Sequence, residues 1–128
     1  MPEILLHYIW EHCLWAGFPQ QTTDGRPAEI LSVGQHNGDA GPDYSHARIR
    51  IGDREWVGNV EIHVHASDWY RHRHYQDHAY DSVILHVVRD ADKPVSNTRG
   101  ELVPQCALCY PDDRDYLSGL LSDARRMD

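Results

Sequence analysis

The sequence lacks any run of eighteen apolar residues, and its first ten residues, "MPEILLHYIW", lack both a basic segment and a cleavage site. A membrane-spanning helix needs about 20 mostly apolar residues, and a secretory signal peptide begins with a basic segment. We therefore expect no membrane partner and no secretory signal, and we expect the protein to lie in the cytoplasm.

Cysteine is scarce, since the chain has only Cys13, Cys106 and Cys109. A small, odd number of cysteines favours reduced thiols over a disulfide framework. The last two have C-x₂-C spacing, but no second pair accompanies them, as a zinc ribbon would require. We predict free thiols that hold no zinc.

Positive charge is also in deficit, with 12 Lys and Arg against 20 Asp and Glu and a net charge of −8. Nucleic-acid affinity comes largely from neutralised phosphates, so this balance argues against a broad electrostatic attraction to nucleic acid. The deficit is uneven, because residues 44–80 balance five arginines against five acids and hold six of the ten histidines. We expect the chemistry to be concentrated there, within one domain of residues 1–128.

The hydrophobic pattern predicts an α/β fold. Apolar residues at helical spacing indicate an amphipathic first helix, with Pro2 in its first turn and Gly17 at its C-cap. The continuous apolar run "SVILHVV" indicates a strand buried on both faces. The predicted elements are a helix over 2–16, strands over 28–33, 44–51 and 56–65, a helix that starts at Ser67, a central strand over 82–88, an edge strand around Pro104 and a helix over 114–127.

The strands over 44–51 and 56–65 alternate polar and apolar residues and form a predicted antiparallel hairpin, with Trp56 and Trp69 in the core beside it. Side chains two apart on a strand share a face, so Glu61, His63 and His65 project together. A carboxylate and imidazoles on one face are suitable ligands for a divalent cation. The alternative is an ordinary polar outer face of a sheet.

Asp43 lies 18 positions before Glu61, directly after Gly41 and Pro42. A hairpin brings the two acids near each other along the strands. Strict alternation, however, sends Asp43 to the apolar face of Ala47. Only an irregular start of the strand, which Gly41 and Pro42 permit, would aim the side chain at Glu61.

The element order, together with "Pro42-Asp43" and "Glu61-Ile62-His63", resembles the PD-(D/E)XK phosphodiesterase superfamily. The resemblance implies a nuclease-like mixed sheet with flanking helices in the order α-β-β-β-α-β. It also implies that Asp43, Glu61 and the carbonyl of Ile62 bind Mg²⁺ or Mn²⁺, which activates a water beside the scissile phosphate. His63 occupies the position of the superfamily's lysine.

This resemblance implies a metal-dependent phosphodiesterase acting on nucleic acid, with Asp43, Glu61 and His63 as its catalytic residues. The side chains expected to meet phosphates or substrate are Arg48, Arg50, Arg71, Arg73, His65 and His74. An alternative from a different class is a non-catalytic module that kept the nuclease fold and binds a partner.

Three segments, "NGDAGPDYSHARIRIG", "WVGNVEIHVHASDWYRH" and "YDSVILHVV", are similar to the signature blocks of a bacterial family catalogued as domain-of-unknown-function family 2851. Members of that family are longer, which implies that this chain is their N-terminal region or a short relative. Its partners would then include the C-terminal domain of longer relatives or a second copy of itself. The family names no activity.

Four histidines form a second candidate metal site. His74 and His78 are four apart on a predicted helix, and with His63 and His65 they suit a zinc-binding hydrolase. The alternative is that the two helix histidines lie on the surface and pair with Asp77 and Asp81.

Overall fold

A mixed sheet of seven strands organises the chain in the computed structural model, which describes residues 1–126. The strands are β1 (Gln20–Gln21), β2 (Pro27–Ser32), β3 (Gln35–His36), β4 (Tyr44–Ile51), β5 (Arg54–His65), β6 (Val83–Asp90) and β7 (Gln105–Ala107). The helices are α1 (Glu3–Glu11), α2 (Asp68–Arg71) and α3 (Arg114–Arg126), and two 3₁₀ turns, His74–Gln76 and His78–Tyr80, follow α2. Residues 127–128, which include the end of the predicted last helix, lie outside the described part.

The strand order is β1-β2-β4-β5-β6-β7, and β3 pairs with the beginning of β4. The first four strands of this path pair antiparallel, whereas β5, β6 and β7 run parallel. The two ends of the sheet nearly meet, because the Gln20 side chain accepts a hydrogen bond from Cys109 N–H and donates one to Cys109 O, each at 2.8 Å. The predicted hairpin and the interior position of the "SVILHVV" strand are both confirmed.

Helix α1 packs on one face of the sheet, with Leu6, Ile9 and Trp10 fully buried against β4, β5 and β6. It is shorter than predicted and ends at Glu11 rather than at residue 16. The reason is local: Cys13 has a φ of +56°, in the left-handed region that a helix cannot continue through. Residues 12–18 form turns instead.

The opposite face of the sheet carries a smaller apolar cluster around Trp69, whose indole Nε1–H donates to Ser96 O at 2.9 Å. Trp69 is fully buried, as predicted, but Trp56 is 41% exposed, so its predicted place in the core is wrong. Pairing between β5 and β6 begins only at Asn59, so the stretch of β5 before it lacks that neighbour. The guanidinium of Arg54 lies 5.0 Å from the Trp56 ring centroid instead.

The predicted helix after Ser67 does form, but it is much shorter than expected, and the segment that follows it is broken into short turns. Helix α2 has only four residues, and the Ser67 side chain makes no capping hydrogen bond. Arg73 has a φ of +61°, which ends helical geometry two residues after α2. No helix within residues 1–126 is long and apolar enough to cross a membrane.

Candidate carboxylate–histidine site

An extra residue in β4 sets the direction of Asp43. Tyr44 pairs with Val60 and Ala47 with Gly58, so three steps along β4 match two along β5. His46, inside this bulge, has a φ of +60°. Tyr44 and Ala47 therefore both face α1, and Asp43 falls on the other face of the sheet. The expectation from strict alternation was wrong, because the bulge shifts the two-residue period by one.

The bulge brings Asp43 against Glu61, and two hydrogen bonds join Asp43 to Glu61 and to the neighbouring Ile62. Asp43 N–H donates to Glu61 Oε1 at 3.0 Å, and Ile62 N–H donates to Asp43 Oδ2 at 2.9 Å. The N–H and C=O of one extended residue point to the same side of its strand. The Ile62 carbonyl is therefore on the side of β5 that faces Asp43. The three groups implied as metal ligands by the resemblance come together at the start of β4.

Glu61 is only 5% exposed, although it carries a carboxylate. Its Oε2 lies 2.9 Å from His74 Nε2 and 3.4 Å from His63 Nε2. The buried His74 Nε2 has no hydrogen-bond partner with acceptable geometry among the described residues, even though the Glu61 oxygen is within hydrogen-bonding distance. Burial, and next the negative charge of Asp43, raise the pKa of Glu61.

A chain of buried polar side chains extends from His63 across the parallel strands. His63 Nδ1 lies 2.8 Å from His86 Nε2, and His86 Nδ1 lies 2.8 Å from Gln105 Oε1. Gln105 Nε2–H in turn donates to Lys93 O at 3.0 Å. His63 and His86 are 2% and 0% exposed, so this chain is sealed from water.

The three buried histidines favour the neutral form. Burial, helped by the neighbouring imidazoles, lowers the pKa of His63 to about 2 and that of His74 to about 4. Burial also lowers the pKa of His86 to about 4, although its hydrogen bond with Gln105 opposes the shift. His63, for which the resemblance implied the position of a lysine, therefore supplies a nitrogen lone pair and no positive charge near neutral pH.

A further histidine reaches Asp43 from α1. His7 Nε2 lies 3.8 Å from Asp43 Oδ2 and 3.5 Å from Glu3 Oε2. Burial alone would lower the pKa of His7, but the hydrogen bond with Glu3 and the charges of Asp43, Glu3 and Glu11 raise it. His7 also lines a cavity of about 460 Å³ between α1, α3 and the start of β4, whose acidic lining residues are unsuited to phosphate.

The other predicted site residues lie in exposed pairs. His65 contacts Asp90, and His78 contacts Asp81, each at 3.1 Å. The structure therefore does not bring these two together with the other members of the predicted zinc set, whereas the rings of His63 and His74 do stack, 5.3 Å apart. His78 pairs with Asp81, as the surface alternative predicted. Among the arginines predicted to meet phosphate, Arg48 pairs with Glu55, Arg50 with Glu29 and Arg71 with Asp68, and Arg73 is exposed in its left-handed turn.

Sequence reasoning missed His7, His86 and Gln105. One signal was present for His86, a histidine inside the apolar run "SVILHVV" that was predicted to be buried on both faces. A buried polar group needs a hydrogen-bond partner, so a partner on a neighbouring strand was to be expected. His7 lies four residues after Glu3 on α1, where the two side chains meet on one helix face.

Fold and site together define a mixed α/β protein with a buried carboxylate–histidine cluster at the point where its sheet changes from antiparallel to parallel pairing. The chain belongs to the family described as "Protein of unknown function (DUF2851)", whose model matches residues 3–119 and so includes the whole cluster. Comparison with curated proteins and with solved structures gave no match.

Proposed function

We propose that the protein is a metal-dependent phosphodiesterase of the PD-(D/E)XK type that acts on nucleic acid. The observation that carries the proposal is the convergence of Asp43, Glu61 and the Ile62 carbonyl. It depends on the bulge in β4, a local irregularity that costs regular pairing and positions a carboxylate. Such irregularities are over-represented beside active sites.

The topology supports the same proposal. Apart from the two-residue strands β1 and β3, helix α1 is followed by the antiparallel strands β2, β4 and β5, then by the short helix α2 and by β6, which pairs parallel to β5. This is the α-β-β-β-α-β order of the superfamily core. Asp43 precedes the second strand of that core, and Glu61 lies on the third, at the expected positions.

The donor atoms at the convergence fit a hard dication. Two carboxylates and a backbone carbonyl offer oxygen ligands, which Mg²⁺ and Mn²⁺ prefer. Such an ion, when bound, activates a water and neutralises the charge that develops on the scissile phosphate. Glu61 would hold the ion from the buried side, and Asp43, whose side chain is 26% exposed, from the side open to solvent.

The protein's own groups fix this arrangement before substrate arrives. The Ile62 N–H holds the Asp43 carboxylate, and the Asp43 N–H holds one oxygen of Glu61. Because His63 is neutral, the positive charge that meets the phosphate must come from elsewhere. Arg48, Arg50, Arg71 and Arg73, all with exposed side chains, are the proposed phosphate contacts, together with the exposed His65. His74, which the sequence also indicated for this role, is buried and neutral and does not fit it.

The test is cleavage of labelled DNA and RNA in the presence of Mg²⁺ or Mn²⁺. We expect Glu61→Gln to lower the cleavage rate at least about 100-fold, since it removes the charge of a metal ligand and leaves its shape. Glu101→Gln, which changes an exposed glutamate on a distant loop, is the matched control and should leave the rate unchanged. Cleavage that survives Glu61→Gln contradicts the proposal. A folded wild type that cleaves neither nucleic acid favours the non-catalytic binding module.

A further inference from the structure

The proton positions in the buried polar chain can be assigned from a backbone carbonyl. Lys93 O can only accept, so the Gln105 side-chain atom 3.0 Å from it is the amide nitrogen. Gln105 Oε1 therefore faces His86, and it too can only accept. The nitrogen that it meets, His86 Nδ1 at 2.8 Å, must carry the proton.

The same reasoning assigns the proton on the His63 ring. A neutral His86 with its proton on Nδ1 has a lone pair on Nε2, so the hydrogen bond of 2.8 Å between the two rings is donated by His63 Nδ1. His63 then has its lone pair on Nε2. That nitrogen lies 3.4 Å from Glu61 Oε2, beyond the usual range of an N–H···O hydrogen bond.

His74 presents a second nitrogen to the same oxygen. Its Nε2 is buried, lies 2.9 Å from Glu61 Oε2 and lacks a hydrogen-bond partner in the described chain. Ligand atoms about 2.0–2.1 Å from one ion, at angles between octahedral and tetrahedral, lie about 2.9–3.4 Å from each other. The two nitrogen–oxygen distances match that range.

We propose that Glu61 Oε2, His63 Nε2 and His74 Nε2 bind one transition-metal dication, with zinc as the preferred ion. Two imidazole nitrogens and a carboxylate oxygen form a common zinc ligand set, whereas magnesium prefers oxygen alone. Gln105, acting through His86, is a positioning residue, because it fixes the tautomer of His63 that leaves Nε2 free for the metal.

The backbone beside the site fits this assignment. His72 is exposed, and one of its ring nitrogens lies within 4.8 Å of ring nitrogens of His63 and His74, so it is placed to offer a further ligand on the solvent side. His72 and His74 converge because Arg73 between them adopts a left-handed conformation. Strained non-glycine residues of this kind cluster at functional sites.

This zinc site shares Glu61 with the proposed phosphodiesterase site but does not require phosphodiester chemistry. It can therefore be tested without nucleic acid. The first experiment titrates the chelator-treated protein with zinc against a chromogenic competitor, and with Co²⁺ as a spectroscopic substitute. We expect one zinc per chain, unaffected by an excess of Mg²⁺, and Co²⁺ absorption bands typical of four or five nitrogen and oxygen ligands.

Substitutions test whether the two buried histidines, and not the exposed ones, bind the zinc. His63→Ala and His74→Ala should each weaken zinc binding at least about 100-fold, because each removes a ligand. His65→Ala and His78→Ala are the matched controls, since both remove an exposed, acid-paired histidine, and neither should change the affinity. Absence of zinc binding, or an equal loss in the controls, overturns the proposal.

The role of Gln105 has its own test. Gln105→Met and Gln105→Glu both lose the donor to Lys93 O, but only the methionine also loses the oxygen acceptor for His86 Nδ1–H. We expect zinc affinity to fall about 10–100-fold for Gln105→Met and to stay within a few-fold for Gln105→Glu. An equal loss in both variants means that Gln105 has only a structural role and contradicts this part of the proposal.

If Gln105→Glu fails to fold, ¹⁵N NMR of the wild-type imidazoles still decides the matter. In the metal-free protein we expect the proton of His63 on Nδ1, and a proton on Nε2 contradicts the assignment. Zinc binding without nucleic-acid cleavage supports this inference and contradicts the phosphodiesterase. Magnesium-dependent cleavage without zinc binding does the reverse.

Discussion

The two faces of the sheet are built differently. The face under α1 buries mainly apolar side chains, whereas the opposite face buries a carboxylate, three imidazoles and an amide beside a smaller apolar cluster. Burying polar groups adds little net stability even when each is hydrogen-bonded, and an incompletely paired one is costly. We therefore expect the α1 face to hold the fold together, and both proposed metal sites lie on the polar face.

The largest expected effect belongs to the apolar face. Leu6→Ala should lower the free energy of unfolding by about 2–5 kcal/mol, because Leu6 is fully buried between α1 and the sheet. Leu102→Ala, at a leucine that is 72% exposed, should change it by no more than about 0.5 kcal/mol. Urea unfolding followed by circular dichroism measures both. Similar losses in the two variants would mean that the α1 face is not the main core.

On the polar face, we expect zinc to reverse the sign of the effect that Glu61→Gln has on the free energy of unfolding. Without metal at pH 8, we expect Glu61→Gln to raise the free energy of unfolding by about 1–2 kcal/mol, since it removes a buried acid whose pKa is raised by burial. Zinc at about 100 times its dissociation constant should then raise the free energy of unfolding of the wild type by about 2.7 kcal/mol. The same zinc concentration should stabilise Glu61→Gln much less, so that the wild type becomes the more stable protein. Urea unfolding with and without zinc gives the four values. If Glu61→Gln is the less stable protein without metal, the polar face contributes to the fold after all.

The pH dependence of the free energy of unfolding should also reveal the buried histidines of the polar face. Burial lowers the pKa of His86 in the folded protein to about 4, below the value of about 6.5 in an unfolded chain. The unfolded state then binds more protons between these values, so His86 contributes stability that is complete above pH 6.5 and lost on acidification. The slope is at most about 1.4 kcal/mol per pH unit.

Other groups titrate in the same range, and the raised pKa of Glu61 acts with the opposite sign, since its contribution is lost as pH rises above 4.5. The measurement is therefore the difference in slope between wild type and His86→Gln from pH 7 to pH 4. We expect the variant to have the shallower loss on acidification. Equal slopes would show that His86 does not stay neutral in the folded protein.

The smallest effect is one of reactivity. Cys106 is fully buried among the residues of the α1 face, and burial raises its pKa to about 12. The three cysteines, all within the described residues, are free thiols, and Cys13 and Cys109 are exposed. We expect an alkylating reagent to label these two in the native protein and to reach Cys106 only on unfolding. Mass spectrometry of the labelled peptides checks this, and rapid native labelling of Cys106 would show that the α1 face opens.

Much of the fold could be predicted from periodicity. The helix near the N-terminus, the alternating strands β4 and β5 and the apolar strand β6 all have patterns that burial dictates. The errors occurred where a single backbone angle decides the outcome, at Cys13, which ends α1, and at Arg73, which breaks the helix expected after Ser67. Residues of these types seldom adopt positive φ, so their sequence gives no warning.

The site was predictable only in part. The approach of Asp43 to Glu61 was expected from the resemblance and the hairpin, but its direction depends on a bulge that the alternating pattern conceals. The contact of His86 with His63 depends on the register between two parallel strands, which pairs Glu61 with His86. Register across a crossover is set by packing of the whole sheet and not by local pattern.

The bulge at His46 gives β4 one residue more than the matching stretch of β5. Removing that residue would make the pairing regular, and Tyr44 and Ala47, then two positions apart, would both still face α1. Tyr44 would keep its hydrogen bond with Glu11, and Asp43 would stay on the opposite face. The apolar face of β4 can therefore be built without the extra residue, so a shortened strand should still fold.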